Sequence, residues 1–426
     1  MKKLVVFCLI CVFFVMITPN KLQVFAADNE QINFIYNNKI FSYQLEKNIK
    51  TSNIFEFNHT INKYNRFGSK QDRQNLLQHL LNIGIEIDIA VEYLFPNISK
   101  TIEQIDKNIS IKTQNAEMKI NSNSQRVFHI KKEIIGISVD KLKLFSNISQ
   151  HYLNNKDLNI EVPTIKTFPT IKEADFFKHT NLRADFSTDI SSSTADRKHN
   201  IKNALNTLNK VAIAPNEMFS FNKTIGKRTK ENGYREAKII VNNEFVEGLG
   251  GGVCQVSSTL YNAALLSGLE IVEANKHSKQ VGYVKYGFDA MVNFGSSDLR
   301  FRNNTNEKII IITNYSSNQL RIRIYGESLN NTQFKLTNEI INITEPEELI
   351  EFDIENKYTD KVIYEDEFFY LKKANKGMEI KSYREKYQNN ILVEKQLLRH
   401  DKFKVQNAVK IYGTKKRTEN DAQISN

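Results

Sequence analysis

The chain has 426 residues, 40% of them hydrophobic, and carries 59 Lys and Arg against 48 Asp and Glu, a formal net charge of +11. That apolar fraction excludes a disordered chain, and the length asks for several domains of ~100–200 residues each. The basic balance would suit nucleic acid, but no clustered basic helix interleaved with aromatics accompanies it, so that partner is not expected.

Residues 1–26 read as a secretory signal peptide. Lys2 and Lys3 precede an apolar run over 4–17, and the small-residue pattern Val24-Phe25-Ala26 follows. The run falls short of the ~20 apolar residues of a membrane span; if retained, it would act as an N-terminal anchor. Its removal takes Lys2, Lys3 and Lys21 with it and lowers the net charge from +11 to +8. A secreted basic protein is suited to the polyanionic polymers of a cell envelope. Cys8 and Cys11 leave with the signal, so Cys254 becomes the one thiol and no intramolecular disulfide is available. No zinc-spaced Cys/His set exists, and neither metal nor cofactor is expected.

Residues 28–180 predict strands and helices in alternation, an α+β region. Residues 33–36 and 39–43 form a hairpin about Asn37-Asn38. A helix over 72–81 places Leu76, Leu77, Leu80 and Leu81 at helical spacing, and 83–89 is strand-like. The order then repeats: strands at 117–120 and 126–130, a helix over 140–152, a strand at 158–162. Polar stretches 99–115 and 163–172 are expected as linkers. A central mixed α+β domain spans 183–330, with a strand at 183–189 and a helix from Ala195 capped by Thr194 or Asp196. A hairpin follows about Asn242-Asn243, and strands are expected at 299–301, 308–313 and 320–325. Beyond it, 340–415 predicts a separate small β module with strands at 382–387, 391–398 and 409–413, and 416–426 a polar tail.

The chemistry concentrates at Gly248-Leu249-Gly250-Gly251-Gly252-Val253-Cys254-Gln255, where glycines lead straight into a helix. The loop permits close approach of a substrate, and a helix N-terminus stabilises both a thiolate and an oxyanion. A thiol there can have its pKa lowered to ~3.5–7.5. No Gly-Lys-Ser/Thr follows, so a phosphate loop is excluded. These features suit nucleophilic acyl transfer, with His277 as the base and either Asp289 or Asp298 to orient it. Arg228, Tyr234, Gln255, Ser257, Ser258 and Tyr261, with Gly250, Gly251 and Gly252, are the candidate substrate contacts.

Residues 183–326 closely resemble the VanW family. The matching pieces are Ala195-Asp196-Arg197-Lys198-His199-Asn200-Ile201, the stretch 215–222, Gly233-Tyr234, the long run 248–265, His277-Ser278, Asp289-Ala290 and Asp298-Leu299-Arg300-Phe301. Asn216 stands where the family usually has Gly, and Lys285-Tyr286 where it has Pro-Pro. Residues 115–180, and 31–100 more loosely, look like the peptidoglycan-binding repeats that often precede this domain; 340–415 looks like a degraded five-glycine module. The resemblance implies secreted, wall-associated work on peptidoglycan stem peptides and glycan. In that reading Cys254 acts as an L,D-transpeptidase nucleophile forming 3→3 crosslinks, with His277 as base and backbone N–H groups near 252–255 as oxyanion hole. The alternatives are a carboxypeptidase and a non-catalytic wall-binding accessory protein.

Overall fold

The computed structural model describes residues 31–45, 69–241 and 244–417. The expected signal peptide, the expected turn at Asn242-Asn243 and the residues beyond 417 lie outside the described residues. The chain divides into two compact units, one of residues 1–115 with 133–170 and one of 116–132 with 171–426. Both helices and sheets build it, the α+β class. Among the described residues no helix is long and apolar enough to cross a membrane.

In the first unit, strands Gln31–Tyr36 and Lys39–Gln44 pair as the expected hairpin. Asn37 and Asn38 take φ of 46° and 63°, the left-handed values that a two-residue primed turn requires. Helix Lys70–Asn82 starts in a capping box of Ser69 and Asp72. Two expectations fail next. The strand-like 83–89 becomes a turn and the start of helix Ile87–Leu94. The polar 99–115 is largely helix Ile98–Ile109, which buries Ile98, Ile102, Ile105 and Ile109 along one face. That stripe recurs at helical intervals between polar residues, and the surrounding Lys, Asn and Gln disguised it. Residues 163–172, the other expected linker, contain strand Thr164–Thr167, paired with Gly136–Val139.

The expected second copy is not a separate repeat. Strand Asn159–Glu161 runs parallel to Gln31–Tyr36 in the same sheet. Helix Lys141–Leu153 joins the one core through Leu144, Ile148 and Tyr152, packed with Leu76 and Ile102. The hairpin of Glu117–Ile120 and Phe128–Lys131 belongs to the second unit instead. Its Val127 packs with Ile310, Ile312 and Tyr325, and Phe128 meets Tyr325 edge-on at 4.9 Å.

The second unit is built on an antiparallel sheet in the order Ala212–Ile213, Ile309–Tyr315, Gln319–Gly326, Asn181–Asp189. Helices Ala195–Leu208 and Val253–Leu266 cover one face, burying Ile201, Ala204, Leu205, Leu208, Val256 and Leu260 against Ile309, Ile311, Ile322 and Ile324. Each of the Ile, Leu and Val side chains contributes about 1.5–3 kcal/mol on burial, so this layer anchors the second helix firmly. Two further three-stranded sheets follow. One joins Thr332–Thr344, Gly377–Gln388 and Ile391–Phe403, the other Glu348–Phe352, Ala408–Tyr412 and Phe368–Lys372. The strands expected for the small β module at 340–415 lie in these sheets. The first sheet docks on the helical layer: Arg384 donates to the Leu269 carbonyl at 2.7 Å, and Leu336 and Leu398 extend the core.

Candidate active site

Strands Glu236–Val241 and Glu244–Leu249 pair antiparallel and deliver the chain to the glycine run. Gly252, at φ 104°, is the N-cap of helix Val253–Leu266, and Cys254 is the helix's second residue. The helix is buried on almost every side, yet carries Gln255, Ser257, Ser258, Thr259 and Asn262. Their partners explain them. Ser257 donates to the Ala290 carbonyl at 2.6 Å, Ser258 accepts from the Ala290 N–H at 2.9 Å, and Asn262 donates to the Phe288 carbonyl at 2.7 Å. These bonds stitch segment 288–290 along one helix face. Beside it, the Met291 N–H donates to the Asn275 carbonyl at 2.7 Å and closes the loop that runs from 275 to 291.

The closed loop brings His277 and Asp289 together over Cys254. Asp289 Oδ2 accepts from the His277 backbone N–H at 2.7 Å and lies 2.6 Å from its Nδ1. His277 is 5% exposed and interacts electrostatically with the Cys254 thiol. The thiol lies 3.5 Å from the Val292 carbonyl. The choice between the two carboxylates is resolved by their bonds. Asp298 accepts from Ser220 Oγ at 2.6 Å and from the backbone N–H groups of Asn222 and Leu299 at 2.8 Å, which leaves Asp289 for the imidazole.

Electrostatics sets the protonation states. Burial pushes the Cys254 thiol up, but the hydrogen bond and charge of His277 outweigh it, and the thiol sits below its ordinary value. Burial pushes His277 down, yet Asp289 and Cys254 raise it to about 9. Burial pushes Asp289 up, and His277 and Arg399 together hold it below the usual carboxylate range. At neutral pH these directions favour a thiolate–imidazolium pair backed by a carboxylate.

Several residues escaped the sequence. Arg399, on strand Ile391–Phe403, donates to Asp289 Oδ1 at 2.6 Å and to its carbonyl at 2.9 Å, while its Nε meets Asp401 at 2.8 Å. Nothing in an alternating charged strand marks it. Burial pushes the Tyr283 hydroxyl up and holds it protonated, with the Cys254 charge adding to the effect. Arg197 donates to Gln255 Oε1 at 2.8 Å; it lies inside the family-like stretch 195–201, which could have pointed to it.

Several expected contacts do other work. Ser257 and Ser258 are wholly buried and bonded to backbone, and Gln255 is tied to the Asp189 carbonyl at 2.8 Å. Tyr234 and Tyr261 are also buried, and burial pushes Tyr261 up to about 12. These five side chains are buried, and the two serines and Gln255 are bonded within the site. The expected oxyanion donors are partly turned away: the N–H groups of Val253 and Gln255 donate to the carbonyls of Gly250 and Gly252 at 3.1 and 3.0 Å. Gly251 is fixed by the Ala237 backbone, since a Cβ there would lie 2.7 Å from its oxygen. Arg228 stays within electrostatic reach of the thiol, and Gly250 packs on its stem.

Comparison with known proteins places the site within matched sequence. The family described as "VanW like protein" matches residues 196–325. The uncharacterized protein YoaR of Bacillus subtilis is 32% identical over 243 residues, covering 57% of this chain and 78% of YoaR. The vancomycin B-type resistance protein VanW of Enterococcus faecalis is 27% identical over 145 residues, covering 33% of this chain and 52% of that protein. Among solved structures, the IgA1 protease G5 domain aligns at 17% identity with a TM-score of 0.15, covering 21% of this chain and 99% of that domain.

Proposed function

The chain belongs to the VanW-like family, and we propose that it is a cell-wall L,D-transpeptidase working through a cysteine acyl-enzyme. The observation that carries the proposal is Cys254 coupled to the buried, hydrogen-bonded His277–Asp289 pair, at the start of a helix behind a glycine loop. A structural cysteine needs neither a raised imidazole nor a carboxylate behind it.

The steps follow from the pair. The Cys254 thiolate attacks the carbonyl of the third stem-peptide residue, forming the S–C bond. The C–N bond to the terminal D-alanine breaks, and the departing amine takes the proton of the His277 imidazolium. His277, now neutral, accepts a proton from the side-chain amine of a second stem as that amine attacks the thioester. The amide forms, the thiolate is released, and a 3→3 crosslink results. Asp289 holds the Nδ1–H throughout and keeps the other ring nitrogen toward sulfur.

The test is incubation of the purified protein with disaccharide-tetrapeptide. Crosslinked dimers should appear by mass spectrometry, with a covalent adduct on the intact protein, and Cys254→Ala should abolish both. Tripeptide without dimers would instead indicate a carboxypeptidase. Dimers from the Ala variant, or wall binding by both proteins with no product, would overturn the assignment.

A further inference from the structure

The site holds more positive charge than a thiolate needs. Arg197 and Arg228 each lie within electrostatic reach of the Cys254 sulfur, and both are largely desolvated. Among the described residues neither forms an ion pair. Arg197 spends Nη2 on the neutral Gln255 Oε1, and Arg228 spends Nη2 on the neutral Asn222 Oδ1 at 2.7 Å. Arg228 Nη1 is buried with no hydrogen-bond partner. Asp298 attracts Arg228 from beyond ion-pair distance, but its own oxygens are committed to Ser220, Asn222 and Leu299. A buried guanidinium without an anion is costly, and proteins keep one chiefly where an anion arrives.

The glycine loop is shaped around these two side chains. At Gly250, φ 80°, an added Cβ would lie 2.9 Å from both Cβ and Cγ of Arg228. At Gly252 it would lie 3.1 Å from Cγ of Arg197 and 2.9 Å from Ile201. The loop therefore packs against both arginine stems at the helix N-terminus, whose partial positive charge adds to theirs.

We propose that Arg197 and Arg228 form a seat for a substrate carboxylate, so that the enzyme cleaves only where the residue after the scissile carbonyl ends in a free carboxylate. The proposal rests on the acyl-transfer role given to Cys254 and names what selects the donor. The leaving residue reaches from the attacked carbon through its nitrogen and Cα to its carboxylate, which lets the seat and the thiol grip one residue. An amide-capped or extended peptide puts a neutral group there and leaves the arginines unpaired.

Alkylation tests the seat without any stem peptide. Iodoacetate and iodoacetamide both transfer a carbon to sulfur and release iodide, and differ in carrying a carboxylate or an amide. Their rate ratio on Cys254, referred to the same ratio on N-acetylcysteine, should favour iodoacetate by about tenfold or more, as a charge-assisted contact implies. Arg228→Met and Arg197→Met should each remove most of that preference, and Arg228→Lys should retain part of it. A wild-type ratio equal to that of the free thiol would overturn the seat, whatever the variants do. Equal slowing of both reagents in the Met variants would also overturn it, since the arginines would then serve only the thiolate. With peptide donors, the seat predicts a loss of about a hundredfold in kcat/KM on capping the terminal carboxylate as an amide, absent in Arg228→Met. An iodoacetate preference in a protein that never acylates would leave the seat standing and sink the transpeptidase instead.

Discussion

Replacing Arg399 with Met should raise the pH at which Cys254 becomes reactive. Arg399 is 14% exposed and its partners Asp289 and Asp401 are 7% and 3% exposed, so both ion pairs are desolvated. Removing one member of such a pair costs about 3–5 kcal/mol, because the acids stay behind. The effect on reactivity has a definite sign. Arg399 is among the groups that hold the Asp289 carboxyl down, after the His277 hydrogen bond; without it, the balance shifts toward burial and Asp289 moves up. A less acidic Asp289 supports the His277 imidazolium less, and the thiolate loses part of its counter-charge. One unit of upward shift in the thiol corresponds to about 1.36 kcal/mol, less than the roughly 1.5–3 kcal/mol of a charged hydrogen bond, so at least one unit is expected. The assay is the rate of iodoacetamide alkylation against pH, beside urea denaturation of the same samples. Adding Asp401→Asn should restore part of the stability by removing the second orphaned acid, and should leave the thiol midpoint high. A folded Arg399→Met protein with an unmoved midpoint would show that Arg399 is only a strut between the β sheet and the catalytic loop.

Acyl-enzyme formation should fall as pH rises through about 9, where His277 loses the proton owed to the leaving amine, and stopped-flow acylation across pH 6–10 reads it. His179 is 5% exposed, and burial lowers it to about 4 with a buried, unpartnered Nε2. Its neutral form is favoured by the fold, so stability should decline as pH falls from 6.5 toward 4, by no more than about 1.36 kcal/mol per unit. His179→Gln should flatten that limb in urea titrations at stepped pH. Ile102→Ala should cost about 2–5 kcal/mol by leaving a cavity in the first unit, and a near-zero value by denaturation would contradict the burial described above. Gly252→Ala should cost about 1–2 kcal/mol for its left-handed backbone alone, and more as its Cβ meets Ile201.

The helices and strands of the second unit were legible because local rules and the global fold agree there. Thr194 caps a helix whose apolar face is spaced at i, i+3, i+4 and i+7, and the sheet strands end at Asn-rich turns. Helix Ile98–Ile109 failed that test, since four isoleucines are its only apolar residues among Lys, Asn, Gln and Ser, and polarity was taken for a linker. The parallel pairing of Gln31–Tyr36 with Asn159–Glu161 spans more than a hundred residues, and no local pattern encodes such a contact. The same limit hid Arg399: the sequence identified Cys254, His277 and Asp289 as candidates, but not the strand that closes over them.

The glycines show how a correct inference can rest on an incomplete reason. From the sequence, Gly250 and Gly252 argued for a cleft that lets a substrate come close to Cys254. In the structure their missing side chains make room for something else, the stems of Arg228 and Arg197. A Cβ at either position would push a guanidinium away from the thiol, so the glycine run and the two arginines form one packing requirement written in three separate stretches of chain. It follows that Gly250→Ala should lower reactivity with anionic reagents before it affects neutral ones, because displacing Arg228 removes charge while leaving the coupling of Cys254 to His277 in place. A loop that served only as an open cleft would lose both alike.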